Sequence, residues 1–253
     1  MTASKLLVHQ VRLEQRAFWR NPEKAFFTFV LPLGLLLIFG ATNSGGTVPG
    51  RPEVRALTLL VPGILAFGII VAAYSTLAAT IAILRTEGVL KRIRATPLSP
   101  TVYLGGQLIS VVVTSLVIAA ATLVLGRVVF GVAPRSGGLI GLVGSLVLGI
   151  TCFAALGLAL SGLIRRADAA GAITNGTYLP LALVSGTFET RLVLPNWLEH
   201  VVSAFPIKAM VESLKAGYDP ASHGPSLANV LVLTGWTIIG MVLARRFFRW
   251  EPT

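Results

Sequence analysis

The stretch RTEGVLKRIRATPLSPTVYLGGQL, residues 85–108, decides how the rest of this chain is read. It holds Arg85, Glu87, Lys91, Arg92 and Arg94 within ten residues, then Pro97 and Pro100, and then returns to apolar sequence. The runs around it carry no Asp, Glu, Lys or Arg at 25–50, 56–84, 95–126, 136–164, 169–188 and 220–244. Each is long enough to cross a hydrocarbon core of about 30 Å, which takes about 20 residues. The charged stretch is therefore an interruption between membrane crossings.

Composition agrees. The 253 residues are 54% hydrophobic and only 12% charged, with a mean hydropathy of +0.80. A soluble domain carries roughly 25% charged residues. Lipid leaves unpaired backbone groups unsatisfied, so the crossings must be helices or a closed barrel. A barrel strand alternates apolar and polar residues, and LVIAAATLVLG at 116–126 does not. The expected fold is an all-α polytopic membrane protein forming one domain over 1–253. Its six transmembrane helices are expected at 25–42, 57–84, 101–126, 138–164, 169–188 and 227–245. Small residues spaced by four, at Gly68, Ala72, Thr76 and Thr80 and at Gly137, Gly141, Ser145 and Gly149, would let helix backbones approach closely, within the subunit or across a dimer.

An even number of crossings puts both termini on one side. That side carries fourteen of the 21 Lys and Arg residues, while the ten acidic residues divide equally. A bias in Lys and Arg alone is the mark of a cytoplasmic face. The expected location is the cytoplasmic membrane, with both termini inside. The net charge of +11 reports this topology, since no folded basic domain is available to hold nucleic acid. Cys152 is the only cysteine and falls inside an apolar run, where it reads as a packing residue.

Residues 5–20 read as an interfacial helix. Lys5, His9, Arg12, Arg16 and Arg20 form one stripe, with Leu7, Val11 and Phe18 opposed to it. Such a helix suits an anionic headgroup layer, or acts simply as a topology signal. Residues 195–216 read as two short amphipathic helices hinged at Phe205–Pro206. Their apolar faces dip into the outer leaflet or cap the bundle.

The charged stretch itself can form a short surface helix at 86–96, with Val89 and Ile93 on one face. Pro97 stops it, and Ser99–Pro100 restarts the chain as the third crossing. A solvated loop is the plain alternative, but a plain loop needs neither an apolar pair at i, i+4 nor stops at both ends.

EGVLKRIRATPLSPTVYLGGQL, with SGTFETRLVLPNWLEHVVSAFPIKAMVESLK at 185–215, resembles the membrane (permease) subunits of ABC-2 type ABC transporters. It is similar to the membrane subunits of daunorubicin and multidrug exporters. The shared features are an acidic-Gly start, a basic helix, a Thr-Pro-Leu-Ser-Pro turn, and a later Leu-Pro-x-Trp-Leu. The resemblance implies that 86–96 is a coupling helix seated on a separate ATP-binding subunit, present in two copies. Arg85, Glu87, Lys91 and Arg92 would make the polar contacts and Val89 and Ile93 the apolar ones, with Gly88, Thr96 and Pro97 bounding the surface. It also implies a second transmembrane subunit, identical or a sibling.

No Lys in this chain follows Gly, so there is no phosphate-cradling P-loop. The chain is expected to be non-catalytic and to hold no cofactor or metal, with ATP and Mg²⁺ bound by the partner. His9, His200 and His223 are far apart and no HExxH pattern occurs, which argues against a membrane-embedded enzyme. No ionisable residue lies mid-span, which weakens an ion-coupled transporter. Tyr74, Thr76, Thr80, Asn175, Tyr178 and Ser185 offer an uncharged, mildly polar route for a hydrophobic or amphipathic, drug-like or lipid-like substrate. Interhelical hydrogen bonding is an equal reading for any one of them. Polysaccharide or glycolipid export is the alternative cargo, and a passive channel or structural membrane protein the alternative class.

Overall fold

The computed structural model describes residues 3–48, 50–94, 99–188 and 195–248. The apolar runs are helical over most of their described length, as an environment without water requires. In chain order the helices are α1 (Ala3–Trp19), α2 (Pro22–Thr42), α3 (Ala56–Thr86), α4 (Val89–Arg94), α5 (Pro100–Phe130) and α6 (Leu139–Leu163), then α7 (Ala170–Val184), α8 (Asn196–Ser203), α9 (Pro206–Lys215) and α10 (Leu227–Phe247). Five of them (α2, α3, α5, α6 and α10) are long and apolar enough to cross a membrane. Two turn-rich residues, Gly45 and Gly46, precede a small antiparallel hairpin of β1 (Thr47–Val48) and β2 (Arg51–Arg55). The all-helical expectation did not include this hairpin.

Local chemistry sets the helix starts. Asn21 caps α2 by accepting the Lys24 amide at 3.0 Å, with Pro22 in the first turn, where a missing N–H costs nothing. Ser99 and Ser226 cap α5 and α10 in the same way. Gly131, in the left-handed conformation, ends α5.

Helix α3 is the hub. Every residue from Leu60 to Ala73 is buried, and α2, α5, α6 and α9 all pack against it. The small-residue ridges serve contacts inside the subunit: Gly68 admits Ile118 of α5, Gly149 admits Met210 of α9, and Gly141 admits Pro225. Helices α6 and α10 form the most extensive pair, brought together at Gly240 and Gly162.

The expected fifth crossing, 169–188, is the main departure. Its helix is α7, only 15 residues, or about 22 Å at 1.5 Å per residue. It ends where Ser185 bonds back to the Leu181 carbonyl and Gly186 turns left-handed, its carbonyl held by Lys215 Nζ at 2.9 Å. The following turn nevertheless continues along α3. Ala170 clusters with Ala78 and Ala82, and Thr187 lies on Gly63. Residues 170–188 thus track α3 antiparallel from Ala82 to Gly63, about 28 Å at helical rise.

Residues 196–215 form two short helices either side of the hinge, with Pro206 opening α9 directly after it. Ile207, Met210, Val211 and Leu214 enter the core. The hinge reaches deep: Phe205 stacks on Trp236 at 5.8 Å, and Trp236 Nε1 donates to the Ala204 carbonyl at 2.8 Å. Trp236 is nine residues inside α10, about 14 Å from its start.

Candidate coupling and transport sites

The segment expected to act as a coupling helix begins where α3 ends. Gly88 adopts φ +69°, a conformation that costs glycine little, and this turns the chain into α4. Leu90 is fully buried against the bundle, Ile93 packs on the same core, and Lys91 and Arg92 face outward beside exposed Glu87. The helix is thus a spur held by an apolar side chain from beneath, presenting two cations and a carboxylate. Val89 is half-buried. Thr86 belongs to the end of α3, so the spur is shorter at its start than 86–96, and Thr96 and Pro97 lie outside the described residues. Leu90 was missed because the i, i+4 pair drew attention to Val89 and Ile93. Arg85 also departs from expectation. It is 5% exposed and its guanidinium donates to the Ile164 carbonyl. This ties the end of α3 to the loop after α6, where Arg166 pairs with Asp168 at 2.7 Å. Arg166 holds the Asp168 carboxyl below its ordinary range.

Above the spur, α3 contains a π-turn at Val71–Thr76, and α2 contains one at Phe26–Val30. Wide turns of this kind cluster at functional sites. Here they face each other through a Thr28–Thr76 hydroxyl pair at 3.2 Å. On the other side, Tyr74 pairs with Thr177 at 2.8 Å and Ser75 donates to Thr174 at 3.1 Å. Three consecutive polar side chains thus bind α3 to α2 and to α7. A turn nearer the spur, Lys24 Nζ donates to Thr80 at 3.1 Å.

Lys24 and Thr80 border a cavity of about 50 Å³ shared with Glu14, Thr76, Gln107 and Thr114. One wall is α1, whose Leu7 and Gln10 press onto Gly105 and Gly106 of α5. Gln15 donates to the Ser110 carbonyl and hydroxyl, both at 2.8 Å. The apolar side of α1 (Leu7, Val11 and Phe18) therefore faces the bundle along with these polar groups, and the basic stripe faces out. Burial pushes the Glu14 carboxyl above its ordinary range, against the opposing pull of Gln10, Gln107 and Lys24.

A second, larger space of about 510 Å³ lies between α6, α7, α10 and the hinge. Its walls are apolar, apart from the Tyr74–Thr177 pair and Tyr178. The Tyr178 side chain is 4% exposed, and its hydroxyl makes no hydrogen bond with the described residues. The six residues expected to mark a route therefore divide. Tyr74 and Tyr178 line this space, whereas Thr76 and Thr80 line the small cavity. Asn175 is exposed on α7 and lines neither space, and Ser185 is spent on closing that helix.

Several membrane-length helices, a surface spur between the second and third long apolar stretches and a hinged helix pair before α10 define a multi-pass membrane protein. The family model described as ABC-2 type transporter matches residues 7–218, and the chain belongs to that family. It is also similar to YvfS of Bacillus subtilis (strain 168), a protein named as a transport permease. The two are 25% identical over 247 residues, covering 95% of this chain and 96% of YvfS. Membership makes the chain the membrane subunit of an ABC transporter and implies an ATP-binding partner.

Proposed function

We propose that this chain is the transmembrane half of an ATP-driven exporter in the cytoplasmic membrane. It crosses six times, with 170–188 counted as the fifth crossing, and both termini are cytoplasmic. The observation that carries this reading is the spur. A helix fixed to the end of α3 through Leu90, with Lys91, Arg92 and Glu87 outward, can pass a push from a bound ATPase directly into the central helix. The Arg85–Ile164 bond would carry the same push to the loop after α6. From there the π-turn of α3 links displacement to α2 and α7 through short polar bonds, which can exchange partners more readily than close apolar packing can.

Two such subunits and two ATP-binding subunits complete the machine. Exposed Asn175 supports a second subunit against α7, because an unbonded amide facing lipid is costly. The cargo class is hydrophobic or amphipathic, drug-like or lipid-like, in keeping with apolar walls and few polar groups. The test is reconstitution of this chain with its ATP-binding subunit in lipid vesicles. ATP-dependent movement of a fluorescent lipid or lipophilic dye is expected, abolished without nucleotide. Uphill movement by this chain alone would overturn the proposal.

A further inference from the structure

The 510 Å³ space is a slot with a shape. Along α10 it runs from Trp236 to Phe247 and along α6 from Phe153 to Leu163. These walls are eleven and ten residue steps long, so each measures about 15–16 Å at helical rise. That is half of a hydrocarbon core of about 30 Å. At the Trp236 end the slot is blocked by Phe205 and Pro206 of the hinge. At the other end it is open, since Leu163 is 59% and Phe247 37% exposed. The slot is therefore a dead-end channel one leaflet deep, continuous with the lipid-facing surface of α6 and α10.

Its open end is charged. Gly162 sits against the Phe247 backbone, which brings the ends of α6 and α10 to one level. Arg165 follows α6, and Arg246 lies next to Phe247 in the last turn of α10. Both are exposed, and neither is ion-paired among the described residues. Arg166, by contrast, already holds Asp168. Inside the slot the one unspent polar group is the Tyr178 hydroxyl.

We infer that this slot binds one anionic phospholipid of the leaflet on the arginine side. One acyl chain lies between α6, α7 and α10, and the phosphate is held by Arg165 and Arg246. Depth fits a single acyl chain and charge fits a phosphate. Naming that leaflet cytoplasmic rests on the orientation proposed above; the binding itself does not.

The full chain is purified into nanodiscs holding equal phosphatidylglycerol and phosphatidylcholine, released gently, and analysed by native mass spectrometry. One retained phosphatidylglycerol per chain is expected, preferred at least tenfold over phosphatidylcholine. Arg165→Glu/Arg246→Glu changes only exposed side chains and should lose that preference. Each surface arginine contributes about fivefold to phosphate attraction. Leu160→Trp fills the slot and should lose retention of both lipids; Leu160→Ala, which widens it, should keep the preference and controls for misfolding. No preference in the wild type, equal retention of both lipids, or retention undiminished by Leu160→Trp overturns the site. Orientation is read separately, by labelling Arg165→Cys in a Cys152→Ser background from outside intact cells. Labelling from outside would overturn the leaflet named here while leaving a positive lipid result standing.

Discussion

Replacing Gly63 by Ala tests whether 170–188 traverses the bundle beside α3. A Cβ at Gly63 would stand 3.0 Å from the Thr187 carbonyl carbon and closer still to its oxygen. Both partners are backbone, so no side chain can swing aside. Relief requires α3 and the 185–188 turn to separate by about 1 Å, which also disturbs Phe188 where it packs on Phe67 and Phe39. Overpacking of this kind costs about 1–3 kcal/mol, and with two rigid partners the upper end applies. Gly144→Ala is the matched control. Gly144 is helical with open space around it, so the change should gain up to about 1 kcal/mol of helix propensity. The difference of about 4 kcal/mol corresponds to roughly 10 °C in melting temperature for a chain of this size. Thermal unfolding in detergent, followed by fluorescence-detected gel filtration, measures it. Equal melting of Gly63→Ala and Gly144→Ala would refute the packing of Thr187 on Gly63, and with it the antiparallel course of the fifth segment.

Further outcomes follow from the same contacts. Arg85→Ala removes a buried donor from the Ile164 carbonyl, and should lower stability by about 2 kcal/mol and uncouple ATP hydrolysis from transport. Unchanged melting would contradict the tie. Glu14 is held above the ordinary carboxylate range by burial, so its contribution is greatest at acid pH and is lost as pH rises from that range through its elevated value. Glu14→Gln should flatten this dependence and raise melting at neutral pH. Asp219 has the opposite sign: Arg51, bonded to both its oxygens at 2.7 Å, holds its carboxyl below the usual range. Its contribution is present above that range and is lost as pH falls, so Asp219→Asn should reduce the acid sensitivity of protease cleavage at the β1–β2 hairpin.

Much of this architecture was legible because lipid imposes simple rules. Charge-free length found the long helices, and the Ser99–Pro100 pair marked the start of α5. The hinge at Phe205–Pro206 was readable from apolar spacing broken by proline. The end of α7 was not, because Ser185 and Gly186 lie in an apolar run and stop the helix through bonds to Leu181 and Lys215 that composition does not reveal. The burial of Arg85 was equally hidden: a basic residue beside four other charges reads as surface, and only the approach of Ile164 from another segment makes it internal. The two π-turns have no marking in the sequence, so the link between Tyr74, Ser75 and Thr76 and their partners on α2 and α7 emerged only in three dimensions. The two faces of α1 were legible from the basic stripe, but the contacts of Gln10 and Gln15 with Gly106, Ser110 and Thr114 of α5 were not, because they depend on a segment distant in sequence.

The most direct measurement is disulfide or bifunctional crosslinking from single cysteines at Lys91 and Arg92, in a Cys152→Ser background, to the ATP-binding subunit in native membranes. The account predicts crosslinks from both positions that strengthen when ATP is trapped, and none from Leu90→Cys, whose side chain points into the bundle. Free reaction of Lys91→Cys and Arg92→Cys with a bulky reagent from outside the cell, with no crosslink to an ATPase, would contradict it.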